Sequence, residues 1–277
     1  RFSFLSGLPA IDSPKEKAYN GHELMSAHIC SFWRDMMTGL EKNTRRIFRN
    51  HGKALWVALD HPQFSGPMQG LEDPIKTIGK ILPASHDGMI LNPGIFRLLP
   101  SEAYQKHLIM RVSVGGTCFS EYSKIHPVVV DPVQALNEGA DAVIMMLILG
   151  SQDALAMESV RRHIEAYHRY AIPVVVEVMS EDYTMNNDFQ HVYAGARIAA
   201  ELGCDIVKVF YCEQFHRVVE TCPVPVLLAG GPKNLDILEG AKEAIRSGAK
   251  GFAFGRNVFQ NENPVEMIGQ LSQLLEG

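Results

Sequence analysis

The sequence predicts an α/β chain folded as a single (β/α)8 TIM barrel with an N-terminal helical extension. Three observations carry the prediction. From Ala54 onward, eight short apolar runs alternate with amphipathic stretches at intervals of roughly 20–35 residues, the pattern of a parallel sheet with right-handed crossovers. The runs are apolar throughout, as in Val174-Val175-Val176 and Val226-Leu227-Leu228, which is expected where helices cover both faces of a sheet. The first run ends Leu59-Asp60-His61-Pro62 with no GxGxxG, so the rival open doubly wound sheet lacks its usual signature.

The elements follow in order. Residues 1–53 carry a helical pattern over 38–49 and are read as a cap or oligomer contact; 54–277 make up the barrel domain. Strands are expected at 54–61, 88–92, 108–115, 142–150, 173–180, 205–211, 224–231 and 251–255. Helical patterns fill the intervals at 73–82, around 95–106, and at 132–138, 153–170, 189–202, 213–221, 235–247 and 264–275. Eight strands are the number that closes, and a chain of 277 residues suits a barrel of about 250.

Composition narrows the function classes. Hydrophobic residues make up 46% and charged residues 21%, an ordinary globular balance. A formal net charge of −5 with no basic tract argues against a nucleic-acid partner. The longest apolar runs, such as Ala142 to Leu149, fall well short of the ~20 residues that a membrane helix needs. Residues 1–13 lack a charged-then-apolar leader layout. Five cysteines, an odd number without a CxxC pair, read as reduced thiols of a cytoplasmic protein.

In a barrel of this kind the active site lies at the C-terminal ends of the strands. The seventh run ends Leu228-Ala229-Gly230-Gly231-Pro232-Lys233 and the eighth Phe254-Gly255-Arg256-Asn257. Glycines there let backbone N–H groups approach an anion, and each loop opens a helix, so Gly230, Gly231, Gly255 and Arg256 are expected to hold a phosphate. The same glycines would also suit tight strand-to-helix turns. In the sixth run, Ile206, Lys208 and Phe210 share one face by period two, which places Lys208 inside the barrel. A lysine losing hydration in a semi-apolar lumen makes its neutral amine accessible, as Schiff-base chemistry on a ketone requires. Neutralisation by an interior carboxylate is the alternative.

Interior carboxylates exist. Asp60 ends the first run, and Glu177 shares a face with Val175 and Met179 in the fifth. Either could move protons for Lys208, and either could pair with Arg111 of the third. His61 follows Asp60 and leaves the strand plane, an additional acid/base candidate. The eleven histidines form no HExxH or other ligand-spaced cluster, so metal-dependent chemistry is not expected. Met145 and Met146 read as core, and Gly115-Gly116 as a turn opening on the active face.

Taken together, Leu59-Asp60-His61, Asp205-Ile206-Val207-Lys208, Ala229-Gly230-Gly231-Pro232-Lys233 and Gly255-Arg256-Asn257-Val258-Phe259-Gln260 resemble the DhnA-type class I aldolases. Phe64-Ser65-Gly66-Pro67, Gly70-Leu71-Glu72 and Cys222-Pro223-Val224-Pro225 are most similar to the thiolase branch of that family, which processes a phosphorylated autoinducer. The resemblance implies a Schiff-base lysine matching Lys208 and an acid/base aspartate matching Asp60. It also implies phosphate at the last two loops, homo-oligomers of pentameric rings up to a decamer, and neither metal nor organic cofactor. Many aldolases of the family carry a tyrosine at the end of strand five; the chain has Met179 there, so another proton donor, Glu177 or His61, is required. The expected activity is carbon–carbon cleavage or formation in a small phosphorylated ketose or diketone through a lysine imine. Coenzyme A-dependent thiolysis, a metal-independent phosphosugar epimerase using Asp60 and Glu177 as two bases, and a ring scaffold without activity are the alternatives.

Overall fold

Period-two alternation assigns each strand residue to one of two faces, and in this chain both faces are apolar and both are buried. The computed structural model describes residues 38–48, 52–230 and 237–276. Helix α1 (Gly39–Ile47) precedes β1 (Ala54–Ala58). There follow α2 (Pro62–Ser65), α3 (Pro74–Ile81), β2 (Gly88–Leu91), α4 (Pro93–Phe96), β3 (His107–Arg111) and α5 (Pro132–Asn137). Next come β4 (Ala142–Leu149), α6 (Asp153–His168), β5 (Val174–Ser180), α7 (Phe189–Glu201) and β6 (Ile206–Val209). The chain ends with α8 (Phe215–Thr221), β7 (Val226–Ala229), α9 (Ile237–Arg246), β8 (Gly251–Phe254), α10 (Arg256–Phe259) and α11 (Pro264–Glu276). Each strand pairs in parallel with the next, and β8 returns to β1 to close the barrel.

Two cores result. The lumen is filled by the inward residues, among them Trp56, Ile90, Ile109, Ile144, Val175, Ile206 and Leu227. The outward residues, such as Val143, Val176, Val207 and Leu228, pack under the helices in a larger second cluster. Inward parity therefore continues from Ala58 to Asp60, from Ile109 to Arg111, from Val175 to Glu177 and from Ile206 to Lys208. The apolar plug ends in a charged layer.

Helix starts are set locally. Asp73 accepts a hydrogen bond from Lys76 N, Asp131 from Gln134 N and Asp188 from His191 N, each satisfying an otherwise orphan first-turn N–H. Pro74 and Pro132 then stand at positions where a missing N–H costs nothing. The N-terminal helical extension is present as α1: Ile47 is buried, and Asn43 Nδ2 donates to Ala171 O at 2.8 Å ahead of β5. No described helix is long and apolar enough to cross a membrane.

Most strands are shorter than the apolar runs suggest, and the difference has a physical cause. The last residues of the runs leave the ladder where their side chains turn toward the cavity, as at Asp60 and His61. The third run stops at Arg111, after which Ser113 forms an isolated antiparallel bridge with Val128. The helical turn expected around 95–106 is two pieces, α4 and a 3-10 turn at Ser101–Gln105.

Candidate active site

The C-terminal ends of the strands surround a cavity of about 510 Å³. Asp60, Arg111, Glu177 and Lys208, each at most 7% exposed, form its floor. They are linked in one chain of charge-assisted bonds. Lys208 Nζ donates to Glu177 Oε1 at 2.6 Å. Arg111 Nη2 donates to Glu177 Oε2, and Arg111 Nε donates to Asp60 Oδ2 at 2.7 Å. His61 Nδ1 stands 3.8 Å from Asp60 Oδ1. Register explains the first contact, because Glu177 and Lys208 face each other directly across β5 and β6.

Two cations and two carboxylates make the floor neutral, so burial is tolerated. Burial alone would raise the Glu177 carboxyl, but Lys208 and then Arg111 outweigh it and hold it at about 2. Burial would likewise raise Asp60, yet Arg111, His61 and Lys208 together hold it below the usual carboxylate range. His61 is lowered, first by burial and then by Lys208, against an opposing contribution from Asp60, so its ring is neutral at neutral pH. The lumen around Lys208 is thus less apolar than its strand suggests: an interior carboxylate already holds the amine.

The phosphate-binding residues expected from sequence sit on the adjoining rim. Gly230 and Gly255 line the cavity; a side chain at Gly230 would push Asn257 aside, and one at Gly255 would meet backbone. A Cβ on Gly230 would lie 2.6 Å from Asn257 Oδ1, and one on Gly255 2.4 Å from His61 Cε1 and 2.9 Å from Ala58 O. Arg256 opens α10 and donates to the Tyr183 hydroxyl at 3.5 Å. Among the described lining residues, Arg256 is the cation without a carboxylate partner. Gly231, with Pro232 and Lys233, lies outside the described residues.

Met179 lines the cavity, where the family resemblance places a tyrosine. Sequence reasoning found no hydroxyl to replace it; the structure brings two from outside the strands. Tyr122, on the loop after β3, has its hydroxyl 3.0 Å from Met146 Sδ, and Tyr183 comes from a 3-10 turn after β5. Neither lies in a periodic segment, so no face assignment could have found them. Among the described residues, no group of three or more His, Cys, Asp or Glu side chains could hold a metal ion.

A closed parallel barrel with a buried lysine on β6, carboxylates beside it and a glycine-edged rim next to it defines the class I aldolase type of enzyme, whose chemistry runs through a lysine Schiff base. The chain belongs to the DeoC/LacD family of aldolases, whose family model matches residues 54–261. It is 31% identical to a 3-hydroxy-5-phosphonooxypentane-2,4-dione thiolase of Klebsiella pneumoniae, over 86% of this chain and 81% of that protein. An uncharacterised aldolase of Saccharolobus solfataricus is 29% identical over 86% of this chain and 95% of that protein. An archaeal fructose-1,6-bisphosphate aldolase, captured with its catalytic lysine covalently bound to the carbinolamine intermediate of its substrate, superposes with a TM-score of 0.77. It is 27% identical, covering 86% of this chain and all of that one.

Proposed function

We propose that Lys208 forms the imine in this cavity with a small ketose or diketone bearing one phosphate, and that a carbon–carbon bond is then cleaved or formed. The observation that carries the proposal is the bond between Lys208 Nζ and Glu177 Oε1, buried in the lumen beneath an open cavity. Glu177 accepts a proton as the amine adds to the ketone carbonyl, giving the carbinolamine. It returns that proton to the departing hydroxyl, which leaves as water. The resulting iminium draws electron density from the adjacent carbon and lowers the barrier to the carbanion-like transition state. Asp60, fixed by Arg111, handles the proton on the substrate carbon, and His61 stands beside it. Backbone N–H groups at Gly230, Gly231 and Gly255, with the Arg256 guanidinium, hold the phosphate.

Borohydride reduction in the presence of dihydroxyacetone phosphate tests the reading. The expected result is an adduct mapping to Lys208 by mass spectrometry, absent in Lys208→Met together with turnover. Retained turnover in Lys208→Met would sink the imine and favour a two-base epimerase at Asp60 and Glu177.

The thiolase relatives at 31–32% identity favour a second reading, in which coenzyme A receives the cleaved acyl group. Cleavage that depends on added coenzyme A selects it; cleavage without it selects the lyase. The same reading takes 54–277 as the catalytic barrel and 1–53 as its extension. It places the chain in the cytoplasm, where the free thiols of Cys118, Cys204, Cys212 and Cys222 stay reduced, as a homo-oligomer built on pentameric rings.

A further inference from the structure

Beside the Asp60–Arg111 pair lies a second chamber of about 30 Å³. It shares Asp60, Arg111 and Tyr122, among others, with the main cavity, and Gln63, Ser113, Gly115 and His126 line the rest. Two buried nitrogens of these residues have no protein partner, Arg111 Nη1 and His126 Nε2. The other two guanidinium nitrogens of Arg111 are committed to Asp60 and Glu177.

His126 occupies a place made for it. A Cβ on Gly115 would stand 2.2, 2.5 and 2.9 Å from Cε1, Nε2 and Nδ1 of the ring, so only glycine at 115 leaves room. On another side the ring meets Tyr122 edge-on, with centroids 4.9 Å apart. The charged and titratable groups around it are Arg111 of β3, Glu177 of β5, Asp60 after β1 and Tyr122 of its own loop. Burial, and then Arg111, lowers His126 to about 4, so at neutral pH the imidazole is uncharged and one ring nitrogen is an acceptor.

A polar chamber of this volume accommodates a water molecule, which needs two to four hydrogen-bonding partners. We infer that the chamber is a proton-relay site, in which a water bound between Arg111 Nη1 and His126 Nε2 connects Asp60 to the imidazole. The inference rests on the imine reading. Asp60 takes the proton from the carbon next to the iminium, and the C–H electron pair becomes the enamine double bond. Asp60 then passes that proton to the water, which gives one of its own to Nε2, and the carboxylate is restored with no change of oxidation state. The Arg111 contact lowers Asp60 against the opposing effect of burial, which favours release of the proton it has taken up. His126 is a positioning residue for this relay and touches no substrate atom.

His126→Asn and Gly115→Ala test it with dihydroxyacetone phosphate in D₂O. The first removes the ring; the second keeps every side chain of the chamber and displaces the ring. Borohydride trapping at Lys208 reports the imine and, with it, the integrity of the fold. Wash-in of deuterium at the ketone's α-carbon reports the relay. We expect trapping within about twofold of the unaltered protein in both variants and wash-in slowed about tenfold or more, as for loss of a proton-transfer partner. Parental wash-in in either variant, with trapping intact, would overturn the relay. Failure of the unaltered protein to trap at Lys208 would instead overturn the imine reading on which the relay rests.

Discussion

Glu177 holds two cations on one carboxylate, with Lys208 on Oε1 and Arg111 on Oε2. This makes it the residue on which both the charge balance of the floor and the resting position of the amine depend. In Glu177→Gln the side chain keeps its shape but loses its charge, and its amide NH₂ can only clash with one of the two donors. Breaking one side of a buried ion pair costs about 3–5 kcal/mol, because the uncompensated partner stays buried. We therefore expect an unfolding free energy, read from urea titration, lowered by that amount and imine trapping slowed by about 10²-fold or more, since the proton acceptor for the amine is gone. Trapping at the parental rate in a folded Glu177→Gln would reassign Glu177 to structure alone. Parity along β5 and β6 was enough to put Glu177 and Lys208 inside the barrel. The partnership itself was not legible, because parity fixes the face of each residue but leaves open which residues of two neighbouring strands stand opposite each other.

At the scale of elements, the eight strands were readable because each is a short, largely apolar run bounded by turn residues; most runs are β-branched or aliphatic, and β8 is built on Phe252 and Phe254. The crossover helices were readable from their spacing. The segment between β3 and α5 was not. It has neither period, and what it contributes to the site, Tyr122 and His126, is placed by a long-range contact with Met146 and by Gly115 within the same loop. Closure was legible from the count of eight strands, but the residue that permits it was not. The seam between β8 and β1 depends on Gly251, which adopts φ +131° and whose absent Cβ would fall 1.8 Å from Ala54 O. No flexible side chain is available to yield there; the obstruction is the backbone of the partner strand. Gly251→Ala combines a strained φ with that collision, and we expect at least about 3 kcal/mol of destabilisation, among the larger single-residue effects. Urea unfolding reads it directly. A loss under about 1 kcal/mol would mean that the seam can shift to accept a methyl group.

Across the whole molecule, buried ionisable groups make acid, rather than neutral or mildly alkaline pH, the condition to which this fold is sensitive. His86, 4% exposed, is lowered to about 3, first by burial and then by Lys106. His126 is lowered to about 4 by burial and Arg111. In the unfolded chain both rings take the ordinary histidine value near 6.5. From these two rings alone, the unfolded state between about pH 6.5 and 4 binds two protons that the folded state refuses, and His61, also lowered, acts in the same direction, so stability must fall as pH falls. The carboxylates act in the same direction at lower pH. Glu177, held at about 2, contributes stability that is fully present above the ordinary carboxylate range and is lost as pH drops from about 4.5 toward 2. Two protons correspond to a limiting slope of roughly 2.7 kcal/mol per pH unit. Urea midpoints measured from pH 7.5 to 4.5 should hold steady at first and then decline with increasing steepness below about pH 6.5. His86→Gln, which removes one buried imidazole remote from the cavity, should cut the limiting slope by one proton's share, roughly 1.4 kcal/mol per pH unit, while leaving imine trapping unchanged. A midpoint that is flat down to pH 5 would mean that the two rings are protonated inside the fold, and the neutral acceptor nitrogen at His126 on which the proton relay depends would be lost with it.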